Sequence, residues 1–165
     1  MSTKSISVTL STHGLETAIS WLDNYAKQLD KNVERLIGMM LQEGETYAKS
    51  TLGHIDTGAT YSSISIAYRS GNKGILVAGG ASIWIEFGTG VAHNSELHPK
   101  ASELGMSPHG TYGKGYGANP DGWYYYDEDW QEWRHTKGIP QNRFFYNTAQ
   151  MLRREYKRMA QEVFG

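Results

Sequence analysis

Between Leu15 and Ala48 apolar residues return at steps of three and four: Leu15, Ile19, Leu22, Ala26, Leu29, Val33, Leu36, Ile37, Met40, Tyr47 and Ala48. That period puts them on one face of an α-helix and excludes a strand, whose faces alternate with a period of two. Unbroken to about Lys49, the helix would be roughly 50 Å long at 1.5 Å per residue. A compact domain of 165 residues does not need so long a rod, and Gly38 or Gly44 is a place where it can bend. The opposite face carries Asp23, Lys27, Lys31, Glu34, Arg35 and Glu45. Their spacing allows pairs such as Asp23 with Lys27 and Lys31 with Glu34, the ordinary dress of a solvated face.

The length suits one domain, taken as residues 1-165, with enough chain to bury a core unaided. There is no cysteine, which removes disulfides, thiolate metal sites and thiol nucleophiles from consideration. Residues Met1 to Leu10 hold no apolar stretch long enough for a signal peptide, and nowhere do eighteen apolar residues run together. A soluble protein made in a cytoplasm is expected, with no membrane partner. The net charge of -1 gives no global attraction to DNA or to an anionic membrane, so any nucleic-acid contact would be local.

Along the chain, Ile6, Val8 and Leu10 alternate with Ser5, Ser7 and Thr9 as a short strand does. After the long helix, Gly53-His-Ile-Asp-Thr-Gly58 has the residues that end helices and form turns. Ser63, Ser65 and Ala67 alternate with Ile64, Ile66 and Tyr68, and Gly71 to Gly74 then separates them from Ile75 to Ala78, which predicts a hairpin. Ala81 to Phe87 is short and apolar apart from Ser82 and Glu86, and fits either a helical turn or a strand. Val91 to Asp121 lacks periodicity and core-forming residues, so 91-120 reads as a long flexible loop that projects from the domain. Gly122 to Tyr126 and Trp130 to His135 predict an aromatic hairpin around the acidic turn Asp127-Glu128-Asp129. Phe145, Ala149, Leu152, Tyr156, Met159 or Ala160, and Val163 restore the helical period at the end. The fold class expected is α+β: an antiparallel sheet of about four strands, with the N-terminal and C-terminal helices packed on one face.

Three segments occur in a telling order: Asp56-Thr57-Gly58-Ala59-Thr60-Tyr61-Ser62-Ser63-Ile64, then Ile83-Trp84-Ile85-Glu86-Phe87-Gly88-Thr89-Gly90, then Pro140-Gln-Asn-Arg-Phe-Phe145. Together with the long first helix and the last helix they resemble the tail-completion, or minor tail component, family of long-tailed bacteriophages. The likeness spans about Leu15 to Gly90 and Gly138 to Phe164, with Val91 to Lys137 a longer and more aromatic insertion than the family's usual pattern. Thr60 stands where the family usually has leucine, and Arg143 to Asn147 lacks a second proline often found there. The resemblance implies a non-enzymatic subunit of the head-tail junction, as a tail terminator or neck protein. Such a subunit forms a ring, commonly sixfold, that caps the tail tube and joins it to the head, so the partners expected are copies of itself, a head-completion or connector protein and the tail tube protein. Its place would be the virion, after synthesis in the host cytoplasm. No cofactor and no metal are expected.

Glu86, a carboxylate inside an apolar run, needs a partner if buried, and Arg69, Arg134 or Arg143 could supply it. Trp123, Tyr124, Tyr125, Tyr126, Trp130 and Trp133 are too many aromatics for one side of a small sheet, so a neighbouring subunit is expected to cover part of that hairpin. Tyr112 and Tyr116, in the glycine-rich loop, have the chemistry of adaptable partner contacts. Arg134, Lys137, Arg143, Arg153, Arg154, Lys157 and Arg158 make the last quarter basic, directly after Asp127 and Asp129. A head-to-tail ring would set that basic end against a neighbour's acidic tip, and the same cations could instead touch DNA in the lumen. Glu86, Tyr112, Tyr116, Trp123, Tyr125, Asp127, Asp129, Trp130, Arg143, Arg153, Arg154 and Arg158 are therefore the candidate interface residues.

Two readings from other classes compete. The aromatic hairpin 122-135, with its acids, has the makings of a carbohydrate- or cell-surface-binding module. Sugar cleavage by those acids is not expected, because adjacent acids at a hairpin tip point into water, whereas paired catalytic carboxylates need one member in an apolar site. The second is a metal-dependent hydrolase: His93, Glu96, His98 and His109 are metal-ligand types, yet their spacing matches no established site and a polar loop predicts solvated histidines. Gly110 to Gly117 is no phosphate loop, because Gly113-Lys114 is not followed by Ser or Thr.

Overall fold

The computed structural model describes residues 11–53, 58–89, 98–106 and 121–165. The predicted strand at Ile6 to Leu10, Asp56 and Thr57 of the first motif, Gly90 of the second, His93, Glu96 and His109, and Tyr112 and Tyr116 all lie outside these residues.

The long amphipathic run is one helix, α1 (Thr12–Leu52), continuous through Gly38 and Gly44 and about 60 Å long at 1.5 Å per residue. Ser11 caps it, its Oγ accepting from the Gly14 amide at 3.1 Å, and Gly53 closes it. The two inner glycines are buried where other elements come close. A Cβ on Gly44 would stand 3.2 Å from Leu152, so this position sets how near the last helix can approach.

A short helix α2 (Ala59–Ser63) leads into the first hairpin, β1 (Ser65–Ser70) and β2 (Lys73–Val77). Ser63 ties the two together, donating to the Thr60 carbonyl and accepting from the Gly79 amide at 2.8 Å. The hairpin turns at Gly71-Asn72, with Gly71 at φ 52, and lies against α1. Gly74 permits that approach, since a Cβ there would fall 2.6 Å from Leu41. Ala81 to Phe87, which the pattern left open, is helical: α3 (Ser82–Phe87). The aromatic hairpin follows as predicted, β3 (Trp123–Asp127) and β4 (Glu132–Thr136). The chain ends in α4 (Phe144–Phe164), which runs along the C-terminal half of α1 and touches α3.

The expectation of one four-stranded sheet is corrected. The four strands form two separate two-stranded antiparallel sheets, β1-β2 and β3-β4. Each hairpin completes its ladder locally through a short turn, and neither turn chemistry nor alternation specifies a lateral neighbour. Nor do both helices share one face of a sheet: α1 lies on β1 and β2, whereas α4 packs chiefly on α1. The core sits where these meet, with Ala48, Leu52, Ile64, Ile85 and Phe144 buried together and Leu76, Ala78, Ile139 and Phe145 closing its rim.

Candidate functional site

The second and third sequence motifs converge on one carboxylate. Glu86 occupies the last turn of α3 and is only 6% exposed. Its Oε2 accepts from the Phe145 amide at 2.8 Å, and its Oε1 accepts from the Tyr146 amide at 2.9 Å. These are two of the amides at the start of α4 that have no carbonyl partner within the helix. Helix α4 needs such help because its own N-cap residue, Arg143, sits in the left-handed region at φ 58 and offers no side-chain cap. Glu86 therefore caps, from about 60 residues away, a helix that cannot cap itself. A negative group there also meets the positive end of the helix dipole.

The carboxylate has one more partner. His98 Nε2 lies 3.0 Å from Glu86 Oε1, and His98 Nδ1 accepts from the Lys100 amide at 3.1 Å. With Nδ1 accepting, the ring proton sits on Nε2 and is donated to Glu86. The ring is 6% exposed and packed between Phe87, 4.3 Å between centroids, and Tyr146, 5.6 Å. The expectation of a solvated loop histidine is thus wrong for His98. It anchors a short folded segment, 98–106, whose Ala101 is also buried and whose Met106 amide bonds the Ala101 carbonyl at 2.7 Å. The expected arginine partner is corrected too. Arg69 donates to the Glu34 carbonyl and Arg134 to Asp127, while Arg143 reaches Glu86 with its backbone amide, 3.3 Å from the Glu86 carbonyl.

The same backbone stretch is tied to the end of α3 and to Thr89 just beyond it. Asn142 N–H donates to the Ile85 carbonyl at 2.8 Å, and Thr89 N–H donates to the Ile139 carbonyl at 2.9 Å. Thr89 Oγ1 accepts from the Ile139 amide at 3.1 Å. Both polar members of the E-F-G-T stretch, Glu86 and Thr89, are therefore engaged with residues 139–146, and the junction is built mostly from backbone amides. A cleft of about 360 Å³ opens beside it, floored by Ile83, Phe87 and Phe145 and edged by Lys100 and Arg153. Both nitrogens of His98 are hydrogen-bonded within the fold, Nε2 to Glu86 and Nδ1 to the Lys100 amide. Among the described residues no group of three or more His, Asp or Glu is placed to hold a metal ion.

The remaining candidates are scattered. At the tip of the aromatic hairpin, Asp127 Oδ1 accepts from the Asp129 and Trp130 amides and Oδ2 accepts from Arg134 at 3.2 Å. Partial burial pushes the Asp127 carboxyl up, but Arg134 and the two amides together outweigh it and hold the carboxyl below its usual value. Asp127 thus serves the turn, and the Asp129 side chain is the one exposed. Tyr124 faces His135 and Tyr126 faces Trp133 across the ladder, on a face that stays open, with Trp133 69% exposed, while Trp130, in the turn, is 71% exposed and lies beside Arg134. Trp123 is half-buried and Tyr125 exposed. On α4, Arg153 and Arg154 are exposed, whereas Arg158 is taken up within the chain: it bonds both oxygens of Glu43 at 3.0 Å and Glu155 at 2.8 Å. Those carboxylates, Glu155 first, raise its hold on its proton above that of a free arginine. The candidate residues therefore do not form one patch. Sequence reasoning missed His98 as a core residue and the Phe145 and Tyr146 amides as partners of Glu86.

Comparison with family models, with curated proteins and with solved structures finds no match to this chain.

Proposed function

We propose that this chain is a structural subunit of a phage head-tail junction, a tail-completion or neck protein that works by shape and interface complementarity rather than catalysis. The observation that carries the reading is the use of its motifs. The E-F-G-T stretch and residues 139–146, which contain the P-Q-N-R-F stretch and lie within the part that resembles the family, hold each other through Glu86, Thr89 and backbone amides. That is a scaffold's use of polar residues. The apolar surface left open on α1 and on the aromatic hairpin supports an assembling subunit, because a monomer seldom exposes so much of it. In this reading the subunit joins copies of itself into a ring, commonly sixfold, between a connector protein and the tail tube. Arg153 and Arg154 face a neighbour or DNA in the lumen. No described helix is long and apolar enough to cross a membrane, and the virion is the proposed location.

The test is the absolute mass of the protein by light scattering, alone and with assembled tail tubes. A ring-sized species, free or on the tube, is the expected result. A strict monomer that ignores the tube would overturn the reading. The exposed rings of Trp130, Trp133 and Tyr124 would then favour the second reading, a carbohydrate- or cell-surface-binding module that uses the hairpin.

A further inference from the structure

The N-terminal half of α1 stands clear of the other described elements. From Glu16 to Lys31 every residue but Ala18 is exposed, including Ile19 at 59% and Leu22 at 55%. Burial begins only beyond this stretch, as α1 reaches the first hairpin and α4. Yet this free stem is not polar. Leu15, Leu22, Leu29 and Leu36 recur every seven residues, and Ile19, Ala26, Val33 and Met40 recur every seven residues between them. In heptad terms the leucines hold position d and the second series holds position a. Leucine at every d, with β-branched Ile19 and Val33 at two of the four a positions, fits the seam of a parallel coiled coil. Trp21 and Tyr25 stack beside it, 5.4 Å between centroids, and widen the apolar face on one flank.

The charges beside the seam decide direction. Position e is acidic in three successive heptads, at Glu16, Asp23 and Asp30, and the g positions Ala18, Tyr25 and Asn32 carry no charge. In an antiparallel pair e faces e, so acids would be set against acids. In a parallel pair e faces g, which brings Asp23 beside Ala18 and Asp30 beside the phenol of Tyr25 of the other copy. We propose that the stem, Leu15 to Val33, docks on the same segment of another copy of this chain, parallel and in register. The occupant is thus a second copy, and the proposal does not require the junction reading to hold.

Because the chain has no cysteine, single introduced cysteines report the geometry directly. In the full chain under mild oxidation, Leu15→Cys, Leu22→Cys and Leu29→Cys should each give a covalent dimer, while Asn24→Cys, on the opposite face, should give several-fold less. An antiparallel pair would hold the two copies of 15, and the two copies of 29, far apart, and neither Leu15→Cys nor Leu29→Cys would then crosslink. The double variant Leu22→Glu/Leu29→Glu should halve, or more than halve, the mass seen by light scattering without moving the circular dichroism of the packed domain. Equal crosslinking at Asn24, failure of Leu15→Cys and Leu29→Cys alone, or an oligomer that survives the double variant would each overturn the proposal. Tube binding without stem crosslinking would leave the junction reading standing and sink this one, and the converse would do the reverse.

Discussion

One helix carries the same apolar period into two different surroundings. In the C-terminal half of α1, Leu41, Ala48 and Leu52 are buried against the first hairpin and α4, and the glycines at 38 and 44 let those elements come near. In the N-terminal half, Leu15, Leu22 and Leu29 are just as apolar and face water. The difference lies in what the rest of the chain supplies. Ile64, Ile85 and Phe144 converge on one end of the rod, while the other end meets none of the described elements. Amphipathicity thus reports that a face wants cover and leaves open whether the chain itself provides it.

The largest expected effect tests this contrast with a matched pair. Leu52→Ala removes a fully buried side chain beside Ala48 and Phe144 and should cost about 2–5 kcal/mol of unfolding free energy. Leu22→Ala, measured by urea unfolding at a concentration dilute enough to keep the chain monomeric, should change it by less than about 0.5 kcal/mol. Similar costs for the two would break the comparison, since Leu22 would then be covered within the monomer.

The second effect concerns the junction that fixes α4. Glu86→Gln keeps the size of the side chain and turns one acceptor oxygen into a donor that faces other donors, two amides and the His98 Nε2–H. A loss of about 1–3 kcal/mol is expected, with most of the helical content of α4 retained. A change indistinguishable from zero in the same unfolding experiment would mean that water caps α4 and that Glu86 does not organise the junction.

How much of this was legible before the structure differs by element. The period fixed the two long helices because both faces of that argument are local, and the paired segments around Gly71-Asn72 and Asp127-Glu128-Asp129 revealed the hairpins for the same reason. The separation into two sheets was hidden because lateral pairing depends on long-range contacts that alternation does not encode. The partner of Glu86 was hidden differently. A search for an opposite charge names arginines, but the groups that satisfy this carboxylate are backbone amides, which every residue but proline carries. A usable signal did exist. The start of α4 at Arg143-Phe144 has no Ser, Thr, Asp or Asn in capping position, and a helix without a cap implies an acceptor from elsewhere. His98 gave no such sign, since a histidine among glycines and prolines looks solvated until Phe87 and Tyr146 are seen on either side of it.

A third, smaller effect lies on the seam between α4 and the packed half of α1. Arg158 links the two through Glu43, but the pair is exposed to solvent and therefore screened. Arg158→Gln should lower the melting temperature slightly at low ionic strength, and the gap to the parent chain should close in high salt. A gap that salt leaves untouched would show that the arginine stem, rather than its charge, does the packing.

The smallest effect separates the aromatic hairpin from both halves of α1, because its tip is held by local polar contacts instead of a core. Arg134 and the amides of Asp129 and Trp130 keep the Asp127 carboxyl below its usual value. A carboxyl whose folded pKa is depressed adds stability that is present above the unfolded value, about 3.9, and is lost as the pH falls through the folded one. The hairpin tip should therefore loosen only in acid. Arg134→Gln should move the Asp127 titration, followed by carboxyl carbon NMR, upward toward the ordinary value, while the two amides keep part of the depression. An unmoved midpoint would mean that the amides alone hold the turn and that Arg134 stands free, with Trp130 and Trp133, for whatever the hairpin meets.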